Sequence, residues 1–272
     1  MEAVAVIAEF NPFHNGHALL FNRIDQIVGP EGAKAVFMSG CFTQRGEPAL
    51  LDKWTRTRTA LLCGADLVVE LPFAYAAASA GRFAAGGVAL ACATGVCRHI
   101  AFGSETADLD TLGATAEILA DEPDGFRARL REHLDLGKPF AGARIAALED
   151  YMRDTSGSPA AGTVSPDAAC LRTSNNILAV EYLMAIRRQK AGLQPHVILR
   201  EGADYRNSAV DSMLPSATSI RAATRRYAKD PATLAGILRS GMPVPSLALL
   251  LADMLSGDGP VFPDDLSALV IG

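Results

Sequence analysis

Two histidines, His14 and His17, lie three residues apart in the run Ala8-Glu9-Phe10-Asn11-Pro12-Phe13-His14-Asn15-Gly16-His17. Only Asn15 and Gly16 separate them, so both imidazoles can flank one anion, and Gly16 has no side chain to obstruct a nucleotide. Imidazoles donate hydrogen bonds in either protonation state, which suits phosphate oxygens on which charge develops. A second cluster, Ser216-Ala217-Thr218-Ser219-Ile220-Arg221, sets hydroxyls and a guanidinium at a helix start. Taken alone, that cluster reads as a serine helix cap, and two histidines near a turn read as surface residues or a fragment of a metal site. Taken together they read as two grips on a polyphosphate.

The elements around the histidines decide between these readings. Ala3 to Ala8 is an apolar run of strand length, Asn11-Pro12 is a stop signal, and the first strand is expected to end near Phe10. Ala18, Leu19, Leu20, Ile24 and Ile27 then recur at helical spacing, with Asn15 placed to cap. Strand, turn and helix in that order put free amides and the positive end of a helix where a phosphate sits. On this reading both histidines lie in an exposed turn, where substitutions usually change stability by within about 0.5 kcal/mol.

The same alternation continues. Ala33 to Met38 reads as a second strand, Asp52 to Cys63 as a helix, and Leu67 to Leu71 as a third strand ended by Pro72. Ser79 to Ala93 is a small-residue helix, and His99 to Phe102 a fourth strand running into Gly103-Ser104-Glu105. Such an order implies a parallel sheet covered by helices, with ligands beyond the carboxyl ends of the strands. His14, Ser39-Gly40, Pro72 and Gly103 all fall at those ends. Gly103 leaves room for adenine or ribose to approach the backbone.

Residues 108 to 153 read as an inserted or flanking helical region, and Thr155 to Pro166 as a loop of low order. A helix from about Asn176 to Gln189 precedes a strand, Pro195 to Leu199, that ends at Arg200. Gly202-Ala203-Asp204-Tyr205 and a polar segment to Pro215 follow, and residues 231 to 270 begin a helical C-terminal region after a domain of residues 1 to 229.

Composition narrows the class. With 272 residues, 49% of them hydrophobic, the chain can bury one large core. Its longest apolar runs, such as Ala84 to Ala93, fall short of the roughly 20 residues that cross a bilayer. No basic leader precedes the first strand, so no secretory signal and a cytoplasmic setting are expected, with no membrane partner. Five cysteines at irregular positions do not read as a disulfide framework. Cys92 and Cys97, placed in a helix-to-turn segment, lack a second pair, and no protein-bound metal is expected. The net charge of −5 argues against coating nucleic acid non-specifically and against DNA as a partner. Local basic clusters remain: Lys53, Arg56 and Arg58, whose role is open between phosphate and RNA contacts; Arg187, Arg188 and Lys190, explained by a helix C-terminus; and Arg221, Arg225 and Arg226, the best RNA candidate.

His14-Asn15-Gly16-His17 resembles the His-x-Gly-His signature of the nucleotidyltransferase superfamily. Further blocks resemble one branch, the tRNA(Met) cytidine acetate ligases: Met38 to Pro48, Asp52 to Arg58, Gly64 to Pro72, Phe102 to Glu105, Ser174 to Leu178 and Ser216 to Arg221. The resemblance implies a Rossmann-like α/β nucleotidyltransferase fold with a helical C-terminal appendage. It implies ATP with Mg2+ and acetate as reactants, giving acetyladenylate, and elongator tRNA(Met) as acceptor at the exocyclic amine of its wobble cytidine. His14, His17, Ser216, Ser219 and Arg221 would be catalytic. Nucleotide contacts would come from Ile7, Ala8, Glu9, Phe10, Asn11, Pro12, Phe13, His14, Asn15, Gly16, His17, Ala18, Leu19 and Leu20, with Gly103, Asn175, Asn176 and Arg200. Read without the resemblance, the asparagines are a capped helix start and Arg200 a surface charge.

Cys41 stands where the family usually has asparagine and Phe10 where tyrosine is common, and the family usually continues through a longer helical region than follows here. Two other readings use the same cleft: an adenylyl or cytidylyl transferase acting on a small phosphorylated metabolite, and a nucleotide-binding module without catalysis.

Overall fold

Alternating side chains on the first two strands divide the molecule into layers. In β1 (Ala3–Ala8) and β2 (Ala33–Ser39), Ala3, Ala5, Ala35 and Phe37 point to one face of the sheet, and Val4, Val6, Val36 and Met38 to the other. A strand whose two faces are both buried is apolar along most of its length, which is why neither reads as amphipathic; in β2 only Lys34 and Ser39, near its two ends, are polar. The computed structural model describes residues 2–29, 31–155, 164–200 and 213–267. Its sheet has five strands in the order β3-β2-β1-β4-β5, with β3 (Leu67–Leu71), β4 (Cys97–Ser104) and β5 (Gln194–Leu199). All four pairings are parallel, as the alternation of strands and helices predicts.

One face carries α1 (Asn15–Val28) and α2 (Lys53–Leu62), packed on Val4, Val6, Phe21 and Ile24. After the one-turn α3 (Phe73–Ala76), α4 (Ala80–Ala93) covers the other face. Gly87 lets α4 approach β1 so closely that a Cβ there would lie 2.4 Å from Ile7 Cδ1. The small residues of this helix are therefore a packing requirement. With it lie α5 (Leu109–Asp121), α6 (Asp124–Asp135), α7 (Phe140–Thr155) and α8 (Ser174–Gln189), around Phe83, Leu112, Phe126 and Leu148. A large apolar side chain buried in this way contributes about 1.5–3 kcal/mol.

A third cluster joins distant segments. Leu50 and Leu51, from the loop after β2, pack against α9 (Ala217–Arg226), α10 (Pro231–Leu238) and α11 (Val244–Ser256) through Ile220, Leu234, Leu238 and Leu250. No described helix is long and apolar enough to cross a membrane. Gly202 to Tyr205 and most of the loop beginning at Thr155 lie outside the described residues.

Several local expectations are corrected. β1 ends at Ala8, because Phe10 turns into the left-handed region (φ 46°) and buries its ring against Phe13, His17 and Phe21. His14, not Asn15, is the N-cap of α1, and Asn15 instead donates to the carbonyls of Met213 and Ser240 at 2.9 and 2.8 Å. Cys97 is the buried first residue of β4, paired with Ala3, rather than part of a turn. Helix α8 starts at Ser174, two residues earlier than its apolar pattern suggests, because Glu105 satisfies its leading amides.

Candidate active site

The first turn of α1 is capped by its own histidines. Gly16 N donates to His14 Nδ1 at 3.0 Å, and His14 N donates to His17 Nδ1 at 3.2 Å. A ring nitrogen that accepts carries no proton, so each neutral imidazole keeps its hydrogen on Nε2. The rings lie 3.9 Å apart at 31°, an arrangement unfavourable for two cations. Burial, reinforced by the nearby Arg200 guanidinium, pushes His14 down to about 3. For His17, burial, then His14, then Arg200 push in the same direction. The turn therefore holds two neutral imidazoles, each with its proton on Nε2.

This geometry corrects two sequence expectations. His14 is 3% exposed and His17 partly buried against Phe10 and Phe13, so neither lies in an exposed turn. The leading amides are also not free: Asn15 N donates to Gly241 O, Gly16 N to His14 Nδ1, and His17 N to His14 O. Gly16 is required for a reason that sequence did not reveal. A Cβ on it would meet His14 Cε1 at 2.8 Å, so the glycine makes room for the imidazole as well as for a ligand.

A cleft opens between α1 and the carboxyl ends of β4 and β5, lined by Gly16, His17, Leu19, Leu20, Gly103, Ile198, Leu199 and Arg200. It lies beside the point where strand order reverses between β1 and β4, the usual ligand crevice of open parallel sheets. Ile198 and Leu199 were missed by sequence reasoning, although Gly103 pairs with Ile198 and Ser104 with Leu199 in the register of a strand predicted to end there. Arg200 crosses Gly103, where a Cβ would lie 3.1 Å from its Cγ, and donates to Asn175 Oδ1 at 3.2 Å. Asn175 Nδ2 in turn donates to Glu105 Oε1 at 2.6 Å. Burial alone would raise the Glu105 carboxyl, but hydrogen bonds from Asn175, Thr173 and the Asn176 amide hold it below its ordinary value.

The remaining candidates divide by what their side chains already hold. Asn176 is spent on Ser104, Thr106 N and Thr106 Oγ1. Glu9 accepts from Gln44 N at 2.6 Å and Asn11 Oδ1 from Leu50 N at 2.7 Å. Ile7 packs on Gly87, Ala8 and Ala18 join the α1 face, and Phe10, Pro12 and Phe13 are buried. Ser216 caps α9 by accepting from Ser219 N, while Ser219 Oγ donates to Ser216 O at 2.8 Å. Arg221 donates to Asn11 O at 2.9 Å and to Thr218 Oγ1 at 3.2 Å, which brings the second cluster against the histidine loop across 210 positions.

Of the basic clusters, Arg56 is buried and structural rather than a phosphate or RNA ligand. Its guanidinium donates to the carbonyls of Glu9, Ser39, Gly40 and Leu51. Arg187 is paired with Glu117 and Asp121, and Arg188 with Glu122 and two carbonyls. Arg225 is paired with Asp264 and lies over Phe262.

Residues 1–271 match the family model described as HIGH nucleotidyl transferase. The chain belongs to the HIGH nucleotidyl transferase family. It is 39% identical to the tRNA(Met) cytidine acetate ligase of Acetivibrio thermocellus over 99% of its length and 62% of that protein's. It is 40% identical to the ligase of the same name from Caldanaerobacter subterraneus subsp. tengcongensis, over 100% of this chain and 63% of the relative. The chain thus spans a little under two thirds of these curated relatives. Two crystal structures of Thermotoga maritima TmcAL, 34% identical, superpose over 98% of this family member. The apo form has a TM-score of 0.87 and covers 60% of the TmcAL chain; the form bound with alpha-thio ATP has a TM-score of 0.84 and covers 59%.

Proposed function

We infer that this HIGH nucleotidyl transferase family member is an ATP-dependent acetate ligase whose acceptor is the wobble cytidine of elongator tRNA(Met). The observation that carries this reading is a cleft lined by His17, Gly103 and Arg200, with the neutral His14 ring packed 3.9 Å from that of His17. The similarity to tRNA(Met) cytidine acetate ligases over nearly the whole chain supports the substrate assignment.

In the first half-reaction an acetate oxygen attacks the α-phosphorus of ATP, and the bond to pyrophosphate breaks as charge accumulates on the bridging and non-bridging oxygens. Donors fixed before the reaction stabilise that charge without reorganising. His14 and His17 fill this role, Arg200 adds a positive charge at the cleft mouth, and the Arg221 end of α9 closes over the Asn11 loop. In the second half-reaction the cytidine amine attacks the acetyl carbon, AMP departs with the bonding electrons, and the amine loses a proton. Among the described residues no group of three His, Cys, Asp or Glu side chains is placed to hold a metal. Mg2+ entering with ATP would be held by the phosphate oxygens and would neutralise part of their charge.

The test is to incubate the chain with ATP, Mg2+ and acetate, measure pyrophosphate, add elongator tRNA(Met), and analyse its nucleosides by mass spectrometry. Acetylcytidine is expected. His17→Ala should lower pyrophosphate release by a factor on the order of 100, the worth of one preorganised donor. Near-normal turnover in that variant would move the reaction elsewhere, and a nucleotide-linked small metabolite formed without tRNA would replace the acceptor.

A further inference from the structure

The carboxyl ends of β2 and β3 carry a surface that the nucleotide cleft does not use. Trp54 is 73% exposed and Phe73 67%. Phe42, in the loop after β2, meets Phe73 edge-on with ring centroids 5.9 Å apart. Lys53 lies over the Trp54 ring and bonds Glu70 at 2.7 Å, which ties the start of α2 to the end of β3. Arg45, from the same loop as Phe42, and Arg82, in the first turn of α4, are exposed, and neither has an acidic partner among the described residues.

This rim is held in place. Gln44 is fixed from both ends, its amide nitrogen by Glu9 Oε1 at 2.6 Å and its side chain by Ala78 O at 2.5 Å. Arg56 pins the carbonyls of Ser39 and Gly40 beneath it. Glu9 belongs to the loop that leads into the histidine pair, so the rim is tied to that loop. Among the described residues Arg129, Arg144, Arg172, Arg187, Arg188 and Arg225 have acidic partners, whereas Arg45 and Arg82, like Arg58 in the second turn of α2, do not. Exposed arginines without acidic partners, on a rim that also carries exposed planar rings, complement a polyanion that bears stackable bases.

We propose that this rim docks the unpaired bases of an RNA loop, with Trp54 and Phe73 stacking on bases and Arg45 and Arg82 holding the adjoining phosphates. The proposal rests on the reading that a tRNA cytidine is the acceptor, and it names the surface that delivers it. Trp54 is the one tryptophan of the chain, so its fluorescence reports directly on stacking.

The experiment titrates the chain with a hairpin RNA bearing the elongator tRNA(Met) anticodon loop, and with a fully paired duplex of equal length. The hairpin should quench Trp54 and the duplex should not. Trp54→Ala (followed by a labelled hairpin) and Phe73→Ala should each weaken hairpin binding about tenfold or more. Arg45→Ala with Arg82→Ala should reduce the slope of log affinity against log salt by about 1.4. Acetate-dependent pyrophosphate release should be unchanged in all of these variants. Hairpin binding that leaves Trp54 fluorescence and the Trp54→Ala affinity unchanged would overturn the proposal, as would equal binding of the duplex or no RNA binding by the folded chain. Self-association lost in Phe73→Ala would make the rim a protein interface instead. Hairpin binding at the rim without pyrophosphate release refutes the ligase reading alone; pyrophosphate release with the hairpin bound elsewhere refutes the docking surface alone.

Discussion

Arg56 and Arg200 sit at the same end of the sheet and are used in opposite ways. Arg56 is 1% exposed, and its guanidinium is consumed by four backbone carbonyls and Ser39 Oγ, knitting the ends of β1 and β2 to the loop that carries Leu51. Arg200 is exposed at the mouth of the cleft and, among the described residues, makes a single side-chain hydrogen bond, to Asn175. The saturated cation is architecture, and the one with donors to spare lines the cleft. The carboxyl end of β2 is thus closed by internal bonds, and that of β5 opens on the cleft.

Breaking the closed end should have the largest effect. Arg56→Ala strips four buried carbonyls of their donor and should destabilise the fold by about 4 kcal/mol, seen as a lowered urea midpoint. Arg56→Lys should restore less than half of that, because an ammonium cannot span the same carbonyls; full recovery would show that charge alone was needed. Arg200→Ala should leave the urea midpoint nearly unchanged, within about 0.5 kcal/mol, while weakening ATP binding by calorimetry about 30-fold. A large loss of stability there would erase the contrast.

The histidine pair sharpens it through pH. The folded value of His14, about 3, lies below its ordinary 6.5, so the unfolded chain takes up a proton that the fold refuses. Its contribution is complete above pH 6.5 and declines as pH falls towards 3, at about 1.4 kcal/mol per pH unit. His17 acts in the same direction. Urea titrations at pH 6 and 5 should show this loss and a shallower one in His14→Gln; equal slopes would mean that the ring is not held neutral. Glu105→Gln should give the smallest effect. Loosening Asn175, which aims Arg200, should weaken ATP binding about threefold, a fraction of one charged hydrogen bond, and an unchanged affinity would detach Glu105 from the cleft.

Much of this was legible in the chain itself. Apolar runs of strand length alternating with helical periodicity determined a parallel sheet with helices on both faces, because burial on both sides leaves a strand few polar positions. The spacing of His14, Gly16 and His17 likewise determined that both imidazoles meet at the turn between β1 and α1. Short-range pattern carries that information. Whether a polar group is free or spent is a different quantity, set by partners remote in sequence. The tertiary structure alone decided that Asn176 is consumed by Ser104 and Thr106, that Arg221 reaches the Asn11 carbonyl, and that Arg56 is sealed beneath the β2 loop. It also decided the state of the histidines. Desolvation and the choice of ring nitrogen follow from Phe10, Phe13, Arg200 and the backbone of α1 closing around them, and no local run of residues sums those contributions.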